Sequence, residues 1–567
     1  MSKTICVVIS LMFTTILISA CGTEGTTLPN PSMTVQSGGT KQLFLAWDGC
    51  FGTSNYDVKI SYDGNNFTPV PGCQGLSQLF ATVNFTVHTT DWQNGQLMVE
   101  ARNSSGSLRI PYAPLQLNQS MSAMATGYLK ASNAGGVDLF GQTITISADG
   151  NTLAIGAIGE DSNATGVNGD QDNNDANDAG AVYIFVRNGN TWSQQAYLKA
   201  SNTDAGDNFG SDLALSADGN TLAVSAFSEA SNAPGNPDDD SAAAAGAVYV
   251  FTRTGTTWNQ QAYVKAPYPD TADNFGVTIS LSADGNTMAV GAPGDDSNAI
   301  GVGGDPNNNL SGSSGAVYIF EKVGATWSLQ EFIKASNAES GDFFGQSVAL
   351  DRDGNTLAVG ARSERSNARG VNGDETNNSL ANAGAAYVFT RTGTIWTQQA
   401  YVKASNTEAD DYFGVYSAIS ADGNTLTVSA TLEDSNARGI DGNQADNGSS
   451  GAGAVYVYTR SGTNWSQQAY VKSSNLDGND RLGMALALSA DGNIMAVGTR
   501  GESSNASGVN GDQNDNSMAQ AGAVYLFIRN GTTWTQKSYI KASNPDTGDR
   551  FGEALTMSDD GSVLAVG

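Results

Sequence analysis

Acidic and amide side chains collect in a polar loop that follows an apolar run and recurs along this chain. Hard cations such as calcium bind carboxylate and carbonyl oxygens at short spacing, with glycines to bend the backbone. The loops therefore make calcium a candidate ligand. The candidate calcium ligands are Glu160, Asp161, Asn163, Asp170, Asp172, Asp295, Asp296, Asn298, Asp305, Glu502, Asn505 and Asp512.

A second interpretation needs no metal. Asn and Asp side chains also hydrogen-bond their own backbone in local turns, so the same loops could be solvated turns. The second copy is three residues shorter and keeps only part of the pattern, and the fourth places Arg365 and Arg369 inside the loop. The sequence leaves calcium binding and turn formation open.

These loops belong to a repeat of about 69 residues. A Phe-Gly pair, with Leu replacing Phe in the sixth copy, marks each start, and a tryptophan near the end keeps the same rhythm. Self-similarity at a fixed period predicts a repeat architecture. The glycines of the pair are Gly141, Gly210, Gly276, Gly345, Gly414, Gly483 and Gly552.

Each complete copy contains four short apolar runs. In the first copy they are 143–146, 153–157, 181–185 and 192–198, and the Asp149-Gly150 turn joins the first two. Short runs bounded by turn residues predict strands joined as hairpins. The third run is apolar on both faces, so neighbouring sheets must cover both its sides. Closing the sheets into a ring provides that cover and predicts a β-propeller.

The repeat register predicts seven blades, the last split between the two ends of the array. Tyr128 to Ser132 matches the end of the repeat, and Asp549 to Gly567 matches its beginning. A closed ring can join such a split blade, whereas an open solenoid needs caps. No third strand of the seventh blade precedes Gly567. Either the protein continues beyond this residue, which we expect, or that blade lacks a strand.

The strings D-x-F-G, L-A-V-G-A and G-A-V-Y-V-F resemble the FG-GAP repeats of integrin alpha subunits over residues 128–567. The resemblance implies a seven-bladed propeller that binds ligands through loops on one face and often carries calcium. The family's calcium loop, D-x-D/N-x-D-G-x-x-D, has only S-A-D-G-N as its counterpart here. That site does not carry over, and we expect these aspartates to form hairpin turns instead: Asp218, Asp284, Asp422 and Asp491.

Three further repeated positions are expected to be structural. The phenylalanine of each pair is expected to pack between blades, and the aspartate two places before it to accept backbone N–H groups. The tryptophans are expected to pack near the outer hairpin, within cation–π reach of Arg187, Arg253 or Arg391.

The N-terminal residues predict export and lipid anchoring. Lys3 and the apolar run that follows it are typical of a signal peptide over residues 1–20. Ile18 to Cys21 resembles the lipobox of bacterial lipoproteins, which implies cleavage before Cys21, acylation of that cysteine and a membrane location, with the outer membrane favoured. Residues 21–35 read as a flexible tether.

Residues 36–118 alternate between apolar and polar side chains and predict a small β-sandwich that resembles a fibronectin type III module, followed by a linker over 119–127. With Cys6 removed and Cys21 acylated, Cys50 and Cys73 remain, and in an oxidising envelope we expect them to form a disulfide. The predicted fold is all-β: this sandwich followed by a seven-bladed β-propeller over 128–567.

Composition narrows the function. The formal net charge of −29 disfavours nucleic acid as a partner. Seven near-copies offer no asymmetric set of catalytic groups, so we expect no enzyme activity and no cofactor beyond calcium. We expect a monomeric, lipid-anchored envelope protein that binds a protein or glycan ligand through propeller loops. An envelope scaffold is the alternative, and a propeller hydrolase is a third, weaker candidate.

Overall fold

A computed structural model describes residues 33–39, 42–47, 53–63, 65–84, 95–105, 108–111, 114–117, 121 and 127–567. The chain divides into two compact units, residues 1–127 and 128–567. Every regular element with assigned bounds in these ranges is a β-strand. No helix in the described part of the chain is long and apolar enough to span a membrane.

The first unit contains two antiparallel sheets. One has the order β1-β2-β5, and the other has the order β4-β3-β6-β7 with β8 paired to β6. The strands are β1 (Met33–Gly39), β2 (Gln42–Trp47), β3 (Asn55–Ser61), β4 (Thr68–Pro69), β5 (Phe80–Asn84), β6 (Gln96–Arg102), β7 (Leu108–Pro111) and β8 (Leu115–Gln116).

Both sheets contribute side chains to one core, as in the predicted sandwich. Every second residue of β2 is buried, because successive side chains of a strand point to opposite faces. Leu45 and Trp47 of the first sheet are buried in the same cluster as Val58 and Val99 of the second. The rings of Trp47 and Tyr56 join the sheets at a centroid distance of 5.7 Å.

The second unit contains six four-stranded sheets and one two-stranded sheet. Blades 1 to 3 consist of β9 (Phe140–Ile146), β10 (Thr152–Ala157), β11 (Ala181–Asn188), β12 (Thr191–Leu198), β13 (Leu213–Leu215), β14 (Thr221–Ala226), β15 (Ala247–Thr254), β16 (Thr257–Val264), β17 (Thr278–Leu281), β18 (Thr287–Ala292), β19 (Ala316–Val323) and β20 (Thr326–Ile333).

Blades 4 to 7 follow in the same order. They consist of β21 (Phe344–Leu350), β22 (Thr356–Ala361), β23 (Ala385–Thr392), β24 (Ile395–Val402), β25 (Phe413–Ile419), β26 (Thr425–Ala430), β27 (Ala454–Ser461), β28 (Asn464–Val471), β29 (Ala485–Leu488), β30 (Ile494–Thr499), β31 (Ala523–Asn530), β32 (Thr533–Ile540), β33 (Leu555–Met557) and β34 (Leu564–Val566).

Each complete blade is an antiparallel meander in which the four strands pair in chain order. The first strand is innermost, because β9 contacts both β13 and β33, and the corresponding strands of the other blades likewise contact their two neighbours. Second strands such as β26 are buried along their whole length. Each blade is thus covered on both faces, as its apolar pattern predicts.

A closed circle of backbone hydrogen bonds shows that the ring has seven members. The turn after each innermost strand donates an N–H to the carbonyl of the next turn, at distances of 2.9–3.2 Å. The last of these bonds, from Asp559 to Ala148, returns to the first blade at 3.0 Å. The residues of this circle are Ala148, Ala217, Ala283, Arg352, Ala421, Ala490 and Asp559.

The Phe-Gly pair packs between blades, as predicted. Phe413 lies in a core cluster with residues of blades 4 and 5, and its ring meets that of Tyr456 edge-on at 5.3 Å. Gly414 has φ of 93°, a conformation that L residues with a side chain rarely adopt. A Cβ at this position would also collide with the carbonyl oxygen of Ala385 in the preceding blade.

The seventh blade departs from the simplest expectation. Its sheet contains only β33 and β34, and residues 127–131 form no strand. The segment that follows contacts blade 1 as its counterpart contacts blade 2: Ser132 accepts from Gln194 at 3.0 Å, as Ser201 accepts from Gln260. Both ends of the array pack in one core cluster beside blade 1, which contains Leu129, Ala131, Val563 and Ala565.

Candidate functional site

The loop between the second and third strands of each blade is the candidate site. In blade 1 it runs from residue 158 to 180 and returns toward the outer strand, where Val167 bridges Leu198. Equivalent bridges, such as Ile440 to Val471, recur in blades 3 to 6. The base of the loop is therefore fixed to the outermost strand, while much of its tip is exposed.

The first carboxylate of each loop is buried and forms an ion pair with a lysine at the end of the fourth strand. In blade 5, Glu433 Oε2 lies 2.7 Å from Lys472 Nζ, and neither side chain is more than 2% exposed. Burial lowers the pKa of Lys472, while the negative charge of Glu433 opposes that shift. The six pairs are Glu160–Lys199, Glu229–Lys265, Asp295–Lys334, Glu364–Lys403, Glu433–Lys472 and Glu502–Lys541.

Further donors complete each carboxylate. Tyr470 donates its hydroxyl to Glu433 Oε1 at 2.7 Å, and the backbone N–H of Ser435 reaches Oε2 at 3.2 Å. Asn406, which follows the outer strand of the preceding blade, donates to Oε1 at 2.9 Å. The cluster therefore satisfies a buried charge from several sides and also joins two neighbouring blades.

Three of the predicted calcium ligands are thus committed to other partners. Glu160, Asp295 and Glu502 are buried, and the cation beside each of them is a lysine ammonium. Calcium binding by these three carboxylates is therefore disfavoured. A metal ion would have to displace the lysine from an ion pair that is already buried within the chain.

The lysine of each pair is not among the residues predicted from the sequence. It lies 39 residues after its carboxylate in blade 5, in a K-A-S-N or K-S-S-N string that recurs in most copies. An amphipathic strand gives no local reason to bury a lysine. The signal that could have found it was the recurrence of one cation and one acid in every copy.

The exposed acids form local turns. In each of three loops an aspartate oxygen accepts the backbone N–H two residues on, at 2.9–3.1 Å, as expected for an Asx turn. Asp172 is exposed as well. The aspartates that accept are Asp170, Asp305 and Asp512.

The remaining candidates lie apart from these turns. Asp161 accepts the N–H of Asp178 at 2.9 Å and Asp296 accepts that of Ser313 at 2.6 Å, so both brace the end of their loop. Asn163, Asn298 and Asn505 are exposed. Within the described residues no group of three or more His, Cys, Asp or Glu side chains is arranged to hold a metal. Calcium binding stays a prediction, without the three buried carboxylates.

Blade 3 rebuilds the buried cluster with different residues. Asp295 is one methylene shorter than glutamate, and Tyr318 donates to it directly at 2.8 Å. Lys334 finds an additional acceptor, Ser314 Oγ, at 2.8 Å, at a position where the other blades have alanine. Phe332 stands where Tyr470 stands in blade 5. These linked changes indicate that the ion pair, rather than any single residue type, is what the blade requires.

The aspartate before each Phe-Gly pair accepts a backbone N–H three residues earlier, as predicted. Asp411 Oδ2 lies 3.1 Å from the N–H of Glu408. Burial, strengthened by the nearby charge of Glu433, raises the pKa of Asp411 to about 7. Burial raises the pKa to about 7 in four other copies also: Asp207, Asp273, Asp342 and Asp480.

The hairpin aspartates and the repeated tryptophans also match their predictions. Asp422 accepts from the N–H of Asn424 at 2.9 Å in the hairpin turn. The guanidinium of Arg460 lies 5.4 Å from the Trp465 ring. The equivalent distances for Arg187, Arg253, Arg391 and Arg529 are 5.3–5.7 Å. Trp465 also donates to Gln399 of the preceding blade at 2.8 Å.

The cysteine predictions fall mainly on residues that the structure does not describe. Cys21 and Cys50 lie outside the described residues. Cys73 is a buried free thiol whose sulfur lies 3.4 Å from the carbonyl oxygen of Thr82. Burial raises its pKa. The Cys50–Cys73 disulfide and the acylation of Cys21 therefore stay predictions.

The second unit is a seven-bladed β-propeller whose blades are joined by repeated polar and aromatic contacts. The FG-GAP repeat family matches residues 192–251, 258–320 and 327–389, in three tandem copies. The chain therefore contains FG-GAP repeats over these residues.

Comparison with other proteins adds little beyond this. No curated protein matches the chain. Among solved structures, Kuenenia stuttgartiensis hydrazine synthase is 12% identical, covers 78% of this chain and 98% of its own, and has a TM-score of 0.43. Pseudomonas aeruginosa periplasmic gluconolactonase is 12% identical, with coverage of 90% and 99% and a TM-score of 0.39. At these values no activity is transferred to the chain.

Proposed function

We propose that this protein is a lipid-anchored cell-envelope protein that binds a protein or glycan ligand through its propeller loops. The observation that supports the proposal is the repetition of a similar loop in six blades, each fixed at its base by a buried ion pair and exposed at its tip. Repeated weak contacts on one rigid body add up to high avidity.

One exposed residue type recurs in all six loops without a role in the core. An S-N-A string follows each buried carboxylate, and its asparagine is exposed in every copy. An amide both donates and accepts hydrogen bonds, which suits the hydroxyls of a glycan or the backbone of a protein. The asparagines are Asn163, Asn232, Asn298, Asn367, Asn436 and Asn505.

The test measures binding of the purified full-length protein to a glycan array and to immobilised matrix glycoproteins. Replacing the exposed asparagine by alanine in one, three and six loops is expected to weaken binding more than proportionally, because avidity multiplies individual contacts. Thr254→Ala, on an exposed outer hairpin, is the control. Binding that is unaffected by the sixfold variant would rule out these loops as the binding surface.

Lipid anchoring is tested separately. Cys21→Ser is expected to move the protein from the membrane fraction to the soluble fraction of the expressing cells, because the acylated residue is lost. Retention of the variant in the membrane would exclude Cys21 as the anchor.

An envelope scaffold is the second candidate, since the same repeated loops could hold envelope proteins in place. Chemical cross-linking in intact cells distinguishes the two. Cross-links to defined envelope proteins that disappear in the sixfold asparagine variant, with no binding to external glycans or glycoproteins, would favour the scaffold. Hydrolysis of glycans or phosphoesters by the purified protein would favour the hydrolase instead.

A further inference from the structure

One end of the propeller axis differs from blade to blade. The second residue after each Phe-Gly pair lies at the same end of the innermost strands, yet its type varies widely. The buried clusters and outer hairpins are near-copies by contrast. The residues at this varied position are Thr143, Asp212, Thr278, Ser347, Tyr416, Ala485 and Ala554.

Tyr416 lies close to the axis at this end. Its side chain is 36% exposed, although it belongs to the innermost strand of its blade. Its strand lies against the end of β22, because the backbone of Gly414 packs directly on Gly360 and Ala361, so Tyr416 and Arg362 lie at the same end of neighbouring blades. Burial raises the pKa of Tyr416, and the charged residues that also affect it, Arg500, Glu553, Arg362 and Asp212, come from blades 6, 7, 4 and 2.

The two arginines of this group are used differently. Arg500 forms an ion pair with Glu553 of the next blade at 2.7 Å. Arg362 follows β22 and lies over the ring of Phe343 at 4.8 Å. Its Nε is buried and has no hydrogen-bond partner, and within the described residues it forms no ion pair. A buried donor without an acceptor costs free energy, so an acceptor supplied by a ligand would stabilise this arginine.

Asp212 does not supply the missing acceptor. Its Oδ2 accepts the backbone N–H of Ile279 at 2.7 Å, and the residue forms no ion pair with Arg362. Burial raises the pKa of Asp212 to about 7, so near neutral pH it carries only part of a negative charge. Among these charged residues, the guanidinium of Arg362 is therefore not balanced by a full negative charge.

We propose that this end of the axis binds a small carboxylate-bearing molecule, with Arg362 as its ionic partner and the Tyr416 hydroxyl as a second donor. A carboxylate matches the planar donor fork of arginine. A single unpaired cation suits a monoanion better than phosphate, which carries more charge. Arg481 and Arg550, which occupy the position of Phe343 in blades 6 and 7, add positive charge at the same end of a protein with a net charge of −29.

This site is separate from the loops proposed above, so either proposal can fail without the other. The test uses the full-length protein with acetate, succinate and glucuronate as probes, and acetamide and glucose as neutral controls. Calorimetry and ligand-observed NMR are expected to show binding of one or more of the acids and of neither neutral compound.

Two variants test whether the acids bind at this end of the axis. Arg362→Gln is expected to weaken acid binding at least about tenfold, since a hydrogen-bonded charge partner is lost. Tyr416→Phe removes one hydroxyl and is expected to weaken it several-fold. Lys130→Gln removes an exposed positive charge from the segment before blade 1, outside both proposed sites, and should change nothing. Thermal unfolding without ligand checks that each variant is folded.

Three results would overturn the proposal. The first is that none of the three acids binds the wild-type protein. The second is acid binding of equal strength in folded Arg362→Gln and Tyr416→Phe. The third is tighter binding of phosphate or sulfate than of any carboxylate, which would assign the arginines to a different anion.

Discussion

Lys472→Met is expected to be among the most destabilising single substitutions on the outer part of a blade. The variant leaves Glu433 buried, with Tyr470, Asn406 and the N–H of Ser435 as donors but without a countercharge. Removing one partner of a buried ion pair typically costs about 3–5 kcal/mol. A surface lysine contributes about 0–1 kcal/mol, so the exposed Lys130→Met is the matched control.

The assay is urea unfolding followed by tryptophan fluorescence and circular dichroism, which must give coincident transitions before free energies are compared. A double-mutant cycle with Glu433→Gln isolates the pair. The double variant is expected to be more stable than Lys472→Met by about 1–3 kcal/mol, because the uncompensated charge has gone. A loss below about 1 kcal/mol in Lys472→Met, or a double variant no more stable than the single one, would refute the role assigned to the pair.

Three further predictions concern the same blade. Asp411 and its four counterparts have raised pKa values, so the folded state binds more protons than the unfolded state between about pH 4 and 7. The stability of the folded state should therefore fall as pH rises from 5 to 8. In Asp411→Asn, the melting temperature measured by thermal unfolding should depend less on pH. Gly414→Ala should cost about 2–3 kcal/mol in urea unfolding, from strain and from collision with Ala385, whereas exposed Gly462→Ala should cost less. Glu433→Asp should be destabilising and partly rescued by Ala452→Ser, which copies the serine acceptor of blade 3.

Local pattern was enough to predict the blades. Alternation and Asp-Gly turns lie within short windows of sequence, the 69-residue period repeats them, and the strands follow them closely. The split of the seventh repeat between the two ends of the array predicted that the ring closes. It did not predict the hydrogen bond from Asp559 to Ala148 that closes it. Tyr128 to Lys130 was expected to form an outer strand, yet without a third strand beside it no backbone ladder holds it.

The candidate sites were predicted less well because their residues meet only after folding. Glu502 was predicted as a calcium ligand because its lysine is 39 residues away and its asparagine comes from another repeat. The axial group was missed for the opposite reason. Arginine stands at the position of Arg362 in two copies, and tyrosine at the position of Tyr416 in one. Predictions made from features shared by all copies overlook such residues.

The buried ion pairs raise the question of why a ring rich in apolar contacts retains them. A buried pair often adds little net stability, because desolvation offsets the attraction. Apolar faces, however, tolerate small shifts of one blade against the next. The contact from Asn406 to Glu433 crosses a blade boundary, and its geometry is satisfied in only one register of the two blades. Equivalent contacts recur at other boundaries, so we expect the clusters to fix the register in which neighbouring blades pack rather than the order of the blades.

Replacing one cluster by apolar residues distinguishes its effect on the packing register of the blades from its effect on the free energy of unfolding. Glu433→Leu combined with Lys472→Met and Tyr470→Phe removes the charges and the hydroxyl that would lose its acceptor; blade 3 already has phenylalanine at the last position. The triple variant should unfold at a urea concentration close to that of the wild type, since well-packed apolar replacements are often neutral. Refolding from urea should nevertheless yield less monomer and more misassembled oligomer by size-exclusion chromatography. A monomer yield equal to that of the wild type would show that the apolar faces alone set the register of the blades, and the clusters would then need another explanation.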